Sequence, residues 1–251
     1  MTTEPMPIHR WRAFAVLAVS FFMTIIDLTI VNVALPTIGR DLHFSESNLQ
    51  WVVTAYAITF GGFLLLGGRA ADLLGRRRIL MLGLAVFTAA SLGAGLATSD
   101  GVLIALRGLQ GFGAAVVLPA ALSIVMNMFQ EGAERNKALG LWGGIGAAGA
   151  TVGLIAGGLL TRYVGWEYIF FLNVPIGAAA LLIAPRIVPE SRLAGARRRF
   201  DLSGAVTVTA PSGSKRRRTP ASRLSGTIRG ASSSAAAPIG TLRKKMYCQP
   251  A

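Results

Sequence analysis

Apolar residues fall into six long blocks along the chain, at 13–35, 49–68, 79–98, 102–126, 138–160 and 168–188, separated by short polar or basic segments. An α-helix needs about 20 mostly apolar residues to cross a hydrocarbon core of about 30 Å. Each block therefore predicts one membrane-spanning helix. The first block could be taken for a cleaved leader, but it is longer than the apolar stretch of about 7–15 residues found in one, and it lacks a small-x-small cleavage site. It is expected to stay in place as the first span.

Composition supports the same reading. Of 251 residues, 53% are hydrophobic and only 14% charged, against about 25% charged in soluble domains, and the mean hydropathy is +0.55. The predicted class is an all-α membrane protein with a six-helix bundle over 13–188. Residues 1–12 form its cytoplasmic N-terminus, and 189–201 a cytoplasmic linker. Residues 202–210 read as the truncated start of a seventh span, and 211–251 as a disordered Arg/Ser-rich tail that cannot bury enough apolar surface to offset its conformational entropy. The tail holds nine of the 25 basic residues and none of the 11 acidic ones. Such a tail is what an out-of-frame translation of GC-rich DNA gives. A basic run that reads anionic lipid is the alternative, and no nucleic-acid partner is expected.

Orientation follows from the loops, because Lys and Arg favour the cytoplasmic side. Arg10, Arg12, Arg69, Arg76, Arg77, Arg78, Arg135, Lys137, Arg186, Arg192, Arg197, Arg198 and Arg199 fall on one side, and only Arg40 and Arg162 on the other. The N-terminus and the loops after spans two, four and six are thereby assigned to the cytoplasm of a plasma (inner) membrane. Most of these residues read simply as solvated anchors.

The chemistry available is narrow. With one cysteine and two histidines, disulfide frameworks, Cys-based zinc sites and Cys/His catalysis are excluded. Before the tail the only lysine is Lys137, so no Lys-bearing phosphate loop exists. No metal, cofactor or enzymatic activity is expected.

Two ionisable residues interrupt the spans, Asp27 in the first and Arg107 in the fourth. A charge near the bilayer centre costs at least about 2.5–3.5 kcal/mol, so each needs a partner or water and is a candidate functional residue. Asp27 precedes Pro36 by nine residues and Arg107 follows Asp100 by seven, which at 1.5 Å per residue sets them about 13 and 10 Å beneath the same outer face. An ion pair or a shared aqueous cavity follows. Gln110, one turn from Arg107, shares its face, and Thr24 and Asn32 add polar groups to the first span. The group reads either as a purely structural buried pair with polar helix contacts or as a site where Asp27 takes up and releases a proton.

Two further patterns concern helix contacts. Gly149, Gly153 and Gly157 recur at i, i+4 and i+8 with Gly158 beside the last, a flat stripe that admits a neighbouring backbone. Between spans two and three, a loop runs from Gly68 to Arg78. Here Gly75 supplies a tight turn, and Asp72 lies among Arg69, Arg76, Arg77 and Arg78, able to cap or bridge a helix end.

These residues resemble the major facilitator superfamily, and within it the fourteen-span drug/proton antiporter branch. Asp27 to Pro36 (Asp-Leu-Thr-Ile-Val-Asn-Val-Ala-Leu-Pro) is similar to that branch's first-span signature, and Gly68 to Arg78 to motif A. Arg107-Gly-Leu-Gln110-Gly-Phe-Gly113 resembles motif B, whose Arg is associated with proton transfer in the family. Gly149, Gly153, Gly157 and Gly158 resemble antiporter motif C, although Leu154 stands where that motif usually has Pro. Trp166 to Gly177 also resembles the branch. The resemblance covers about residues 10 to 210, one half of a fold whose two six-helix halves surround a midplane site.

The resemblance implies proton-coupled efflux of small amphipathic compounds, with Asp27, Arg107 and Gln110 coupling the proton and Gly68, Asp72, Gly75, Arg76 and Arg77 gating. Its implied partners are lipid, protons and a small amphipathic substrate. A non-transporting fragment, or a half-transporter working only as a homodimer, is the other reading.

Overall fold

The computed structural model of the protein describes residues 7–190. Eight helices follow one another there: α1 (Pro7–Asp41), α2 (Glu46–Leu49), α3 (Trp51–Leu74), α4 (Arg76–Gly95), α5 (Asp100–Met128), α6 (Ala133–Tyr163), α7 (Glu167–Phe171) and α8 (Asn173–Ile187). Six are long and apolar enough, singly or with a short companion, to cross a membrane: α1, α2 with α3, α4, α5, α6, and α7 with α8. These match the six predicted blocks. Residues 1–6, the linker from 191 on, the partial seventh span and the tail lie outside the described residues.

One boundary differs from the sequence reading. Gly68 to Leu74 do not form a loop but continue α3, and α4 begins at Arg76. The whole connection is Gly75, at φ 111°, a backbone conformation that costs an L side chain energy and glycine little. Its amide still donates to the Ala71 carbonyl, and its carbonyl accepts from Ile79, so neither helix loses a bond at the turn.

The packing is not sequential. α5 lies between α3 and α4, α1 packs on α6 and α8, and α4 also meets α8. Small residues make these approaches possible. A Cβ on Gly67 would lie 2.5 Å from the Ala115 carbonyl oxygen, and one on Gly83 3.0 Å from that of Gly113, so α5 touches both neighbours backbone to backbone. Gly149 and Gly157 face Ile25 and Ile30 of α1 at 3.1 and 3.0 Å, and Gly153 faces Thr29. Gly158 does not belong to this stripe, since nothing lies within 4 Å of its Cβ position. One residue on from Gly157 is a rotation of about 100° around a helix of 3.6 residues per turn.

Arg77 and Arg135 tie the basic end of the bundle and are more than solvated anchors. The Arg77 amide at the start of α4 donates to the Glu190 carboxylate at 3.2 Å. The Arg77 guanidinium donates to the Pro185 and Val188 carbonyls at the end of α8. Arg135 reaches back to the Met126 and Phe129 carbonyls closing α5. Carboxylate at a helix start and guanidinium at a helix end both complement the helix dipole. Trp11, Phe14, Phe21, Phe129 and Trp142 pack together, mostly edge to face, with Phe21 stacked on Trp142 at 4.4 Å and nearly parallel.

Candidate functional site

At mid-bundle, four spans direct polar side chains to one point that no solvent reaches. Asp27 of α1 is the centre, with 0% exposure, as are Arg107 and Gln110 of α5. Arg107 Nη1 donates to Asp27 Oδ2 at 2.6 Å, and Gln110 Nε2 donates to Asp27 Oδ1 at 3.1 Å. Asn173, the first residue of α8, donates its Nδ2 to the same Oδ1 at 2.9 Å. Both carboxylate oxygens are thus held by donors from two other spans.

Arg107 is held in turn. Its Nε donates to the Val52 carbonyl of α3 at 3.1 Å, its Nη1 also donates to Gln110 Oε1 at 2.9 Å, and the guanidinium lies 4.3 Å from the centre of the Tyr56 ring. Gln110 Nε2 further donates to Ser91 Oγ of α4 at 2.7 Å. A planar fork with five donors suits this arrangement of carboxylate, carbonyl, amide and ring face better than a lysine would. Burying two charges is costly unless the remaining donors and lone pairs are matched. Here nearly all are, and Asn173 Oδ1 is the buried atom of the cluster left without a partner.

Of the two arrangements that the sequence left open for Asp27 and Arg107, the structure shows the closed ion pair. Thr24 and Asn32 do not join it. The Thr24 hydroxyl donates to the Phe21 carbonyl, and Asn32 is exposed and donates to the Leu28 carbonyl. Ser91, Tyr56 and the Val52 carbonyl join the cluster without having been foreseen. Asn173 lies within the segment Trp166 to Gly177 that resembles the branch. Its one available signal was an amide two residues after Phe171 in an otherwise apolar block.

The motif A residues form a separate group at the basic end. Asp72 Oδ1 accepts from Arg76 Nε at 3.1 Å and Nη2 at 2.8 Å. The pair bridges the Gly75 turn from the end of α3 to the start of α4. Arg76 is itself buried, at 6% exposure, so this is no surface pair. Gly68 approaches Pro119 of α5, with 3.5 Å from its Cβ position.

The family model of the Major Facilitator Superfamily matches residues 17–242. The chain belongs to the major facilitator superfamily. The match runs past residue 210, where the motif resemblance stops. Among similar proteins, the puromycin resistance protein pur8 of Streptomyces alboniger is 45% identical over 198 residues, covering 79% of this chain and 39% of that protein. The cephamycin export protein CmcT of Amycolatopsis lactamdurans is 42% identical, covering 79% and 41%. The tetracenomycin C resistance and export protein of Streptomyces glaucescens is 37% identical, covering 79% and 37%. This major facilitator chain thus spans about two fifths of the length of these relatives, on their N-terminal side. A crystal structure of the peptide transporter POT shares the fold at a TM-score of 0.62 and 16% identity, over 69% of this chain and 37% of that one.

Proposed function

We propose that this chain forms the N-terminal bundle of a proton-coupled exporter of small amphipathic compounds, lying in the plasma membrane with its N-terminus in the cytoplasm. The observation that carries this reading is the Asp27–Arg107 pair, sealed at mid-bundle and held by side chains from α4, α5 and α8. Ionisable groups at such a depth mark ion and substrate pathways more often than they serve as ordinary glue. The relatives, named as resistance and export proteins, supply the substrate class.

In this reading Asp27 is the proton carrier. As a carboxylate it holds Arg107, Gln110 and Asn173, and so links α1 to α5 and α8. A proton on Oδ1, the oxygen beside Asn173, removes the charge that Arg107 faces. Arg107 keeps the Val52 carbonyl, Gln110 Oε1 and the Tyr56 ring, so it remains on α5 while its hold on α1 loosens. The Asn173 amide can serve both states, since its NH2 donates to the carboxylate and its carbonyl accepts from the protonated acid. Motions of α1 and α8 are thereby tied to the proton. Asp72 and Arg76 gate the basic end by fixing the angle between α3 and α4 across Gly75.

Asp27→Asn tests the reading. In a chimera joining residues 1–188 to the C-terminal half of the puromycin resistance relative, proton-driven export in inverted vesicles is expected to fall to background, with the protein still inserted. Export that persists shows that Asp27 is structural. Asn173→Leu removes a donor from the buried carboxylate, so a stability loss of about 1–3 kcal/mol is expected together with slowed exchange. A melting curve and export rate equal to those of the unchanged chimera would leave Asn173 without a role.

A second reading is favoured by the exposure of α3 and α6. Only 11% of the most apolar window of the second span and 17% of that of α6 are buried. Gly61, Gly62, Gly143 and Gly144 on these helices have nothing within 4 Å of their Cβ positions, which leaves room for another bundle. Two copies of this chain would complete the cavity as a homodimer. Cross-linking in membranes that gives a discrete dimer supports the pair, and a solely monomeric species removes it.

A further inference from the structure

A cleft of about 450 Å³ opens between α1 and α8. Val16, Val19, Pro175, Ile176, Ala179 and Ile183 form most of its walls. Its volume falls within the range of small-molecule sites, about 300–1,000 Å³, yet the lining offers no side-chain donor or acceptor. Only hydrocarbon gains by entering it.

The polar groups lie at one end. α1 and α8 run antiparallel, since Asn173 at the start of α8 meets Asp27 midway along α1, while Ile183 further along α8 shares the cleft with Ala15, nearer the start of α1. Arg12 precedes Ala15 by three residues and Arg186 follows Ile183 by three. Residues three or four apart share a helix face, and three residues advance a helix by about 4.5 Å. Both arginines therefore stand on the cleft's own faces, just past its basic end. Both are exposed. Arg186 gives one N–H to the Leu182 carbonyl, and neither forms an ion pair with a described residue, whereas Arg76, Arg77, Arg78 and Arg135 all do.

We infer that this cleft is a binding site for an anionic phospholipid, one acyl chain lying between α1 and α8 and the headgroup phosphate held by Arg12 and Arg186. An apolar slot capped by two guanidinium forks that no described carboxylate pairs matches a lipid in both halves. Hydrocarbon fills the slot, and a phosphate diester takes bidentate N–H bonds from the forks. A headgroup of net negative charge leaves the two cations neutralised. A zwitterionic one brings its own cation to the same place and gains less. The site is independent of the proton-coupling reading.

The full-length chain in detergent micelles, with phosphatidylglycerol or phosphatidylcholine of identical acyl chains added, tests the site by native mass spectrometry. Phosphatidylglycerol is expected to be retained at least about tenfold better, since each basic side chain contributes on the order of 1 kcal/mol to an anionic lipid. Arg12→Gln with Arg186→Gln is expected to bring it down to the phosphatidylcholine level. Ala179→Trp, which fills the slot, is expected to lose both lipids. Inorganic phosphate is expected not to compete, because without a chain it gains nothing from the cleft. Equal retention of the two lipids by the unchanged protein overturns the inference, as does a preference that survives the double Arg replacement. An Ile183→Cys protein that cross-links to residues 191–210 or to a second copy overturns it as well, by showing that protein fills the cleft.

Discussion

Arg107→Met is expected to lower the stability of the bundle by about 3–5 kcal/mol, the cost of leaving one member of a buried ion pair behind. The carboxylate of Asp27 then keeps only the neutral donors Gln110 Nε2 and Asn173 Nδ2. The Val52 carbonyl and one face of Tyr56 lose their partner in the same step. Asp27→Asn is expected to cost less, because an amide in that place still offers an oxygen to Arg107. The double replacement Asp27→Asn/Arg107→Met is expected to recover more than half of the Arg107→Met loss, since no uncompensated charge remains. Denaturation by sodium dodecyl sulfate in mixed micelles, followed through tryptophan fluorescence, measures all three. Additive losses in the double variant would mean that the two residues stabilise the bundle separately and that the 2.6 Å contact contributes nothing as a pair.

Gly153→Val is the second large effect. The Cβ position of Gly153 is already filled by the Thr29 hydroxyl and lies 3.1 Å from the Ile26 carbonyl oxygen. Thr29 cannot turn away freely, since its hydroxyl donates back to the Ile25 and Ile26 carbonyls. α1 and α6 must therefore move apart, and overpacking of this kind costs about 1–3 kcal/mol or more. Because α1 carries Asp27, the same shift strains the 2.6 Å ion pair. Gly158→Ala is the matched control: it meets nothing within 4 Å and gains helix propensity of up to about 1 kcal/mol. A Gly153→Val protein as stable as the Gly158→Ala protein would show that α1 and α6 do not approach as closely as the structure places them.

The two glycines show what the sequence could and could not disclose. Spacing by four residues marks Gly149, Gly153 and Gly157 as one face of a helix, and that face is the one that α1 meets. Gly158 looks equally small and equally placed in the string, but it points about 100° away, and only the neighbours reveal that its side is open. The site divides in the same manner. Asp27 and Arg107 were legible because a charge in an apolar block has so few explanations, and Gln110 because it lies one turn from Arg107. Ser91 sits in a run of Ala, Ser, Leu and Gly that reads as packing, and a backbone carbonyl such as that of Val52 has no residue signature at all. The turn at Gly75 was legible as a residue type, whereas the length of the helix on either side of it was not.

The sequence by itself determined the six spans, since a backbone in lipid must satisfy its own hydrogen bonds and each crossing needs about 20 apolar residues. That requirement is local and leaves its mark residue by residue. The tertiary structure decided which polar groups meet. Asp27 bonds to Arg107 across 80 positions of chain and to Asn173 across 146, and Gln110 reaches Ser91 on the neighbouring helix. Those encounters depend on how small residues let α5 close on α3 and α4, α6 on α1 and α8 on α4, and on helix rotations that no single span specifies alone.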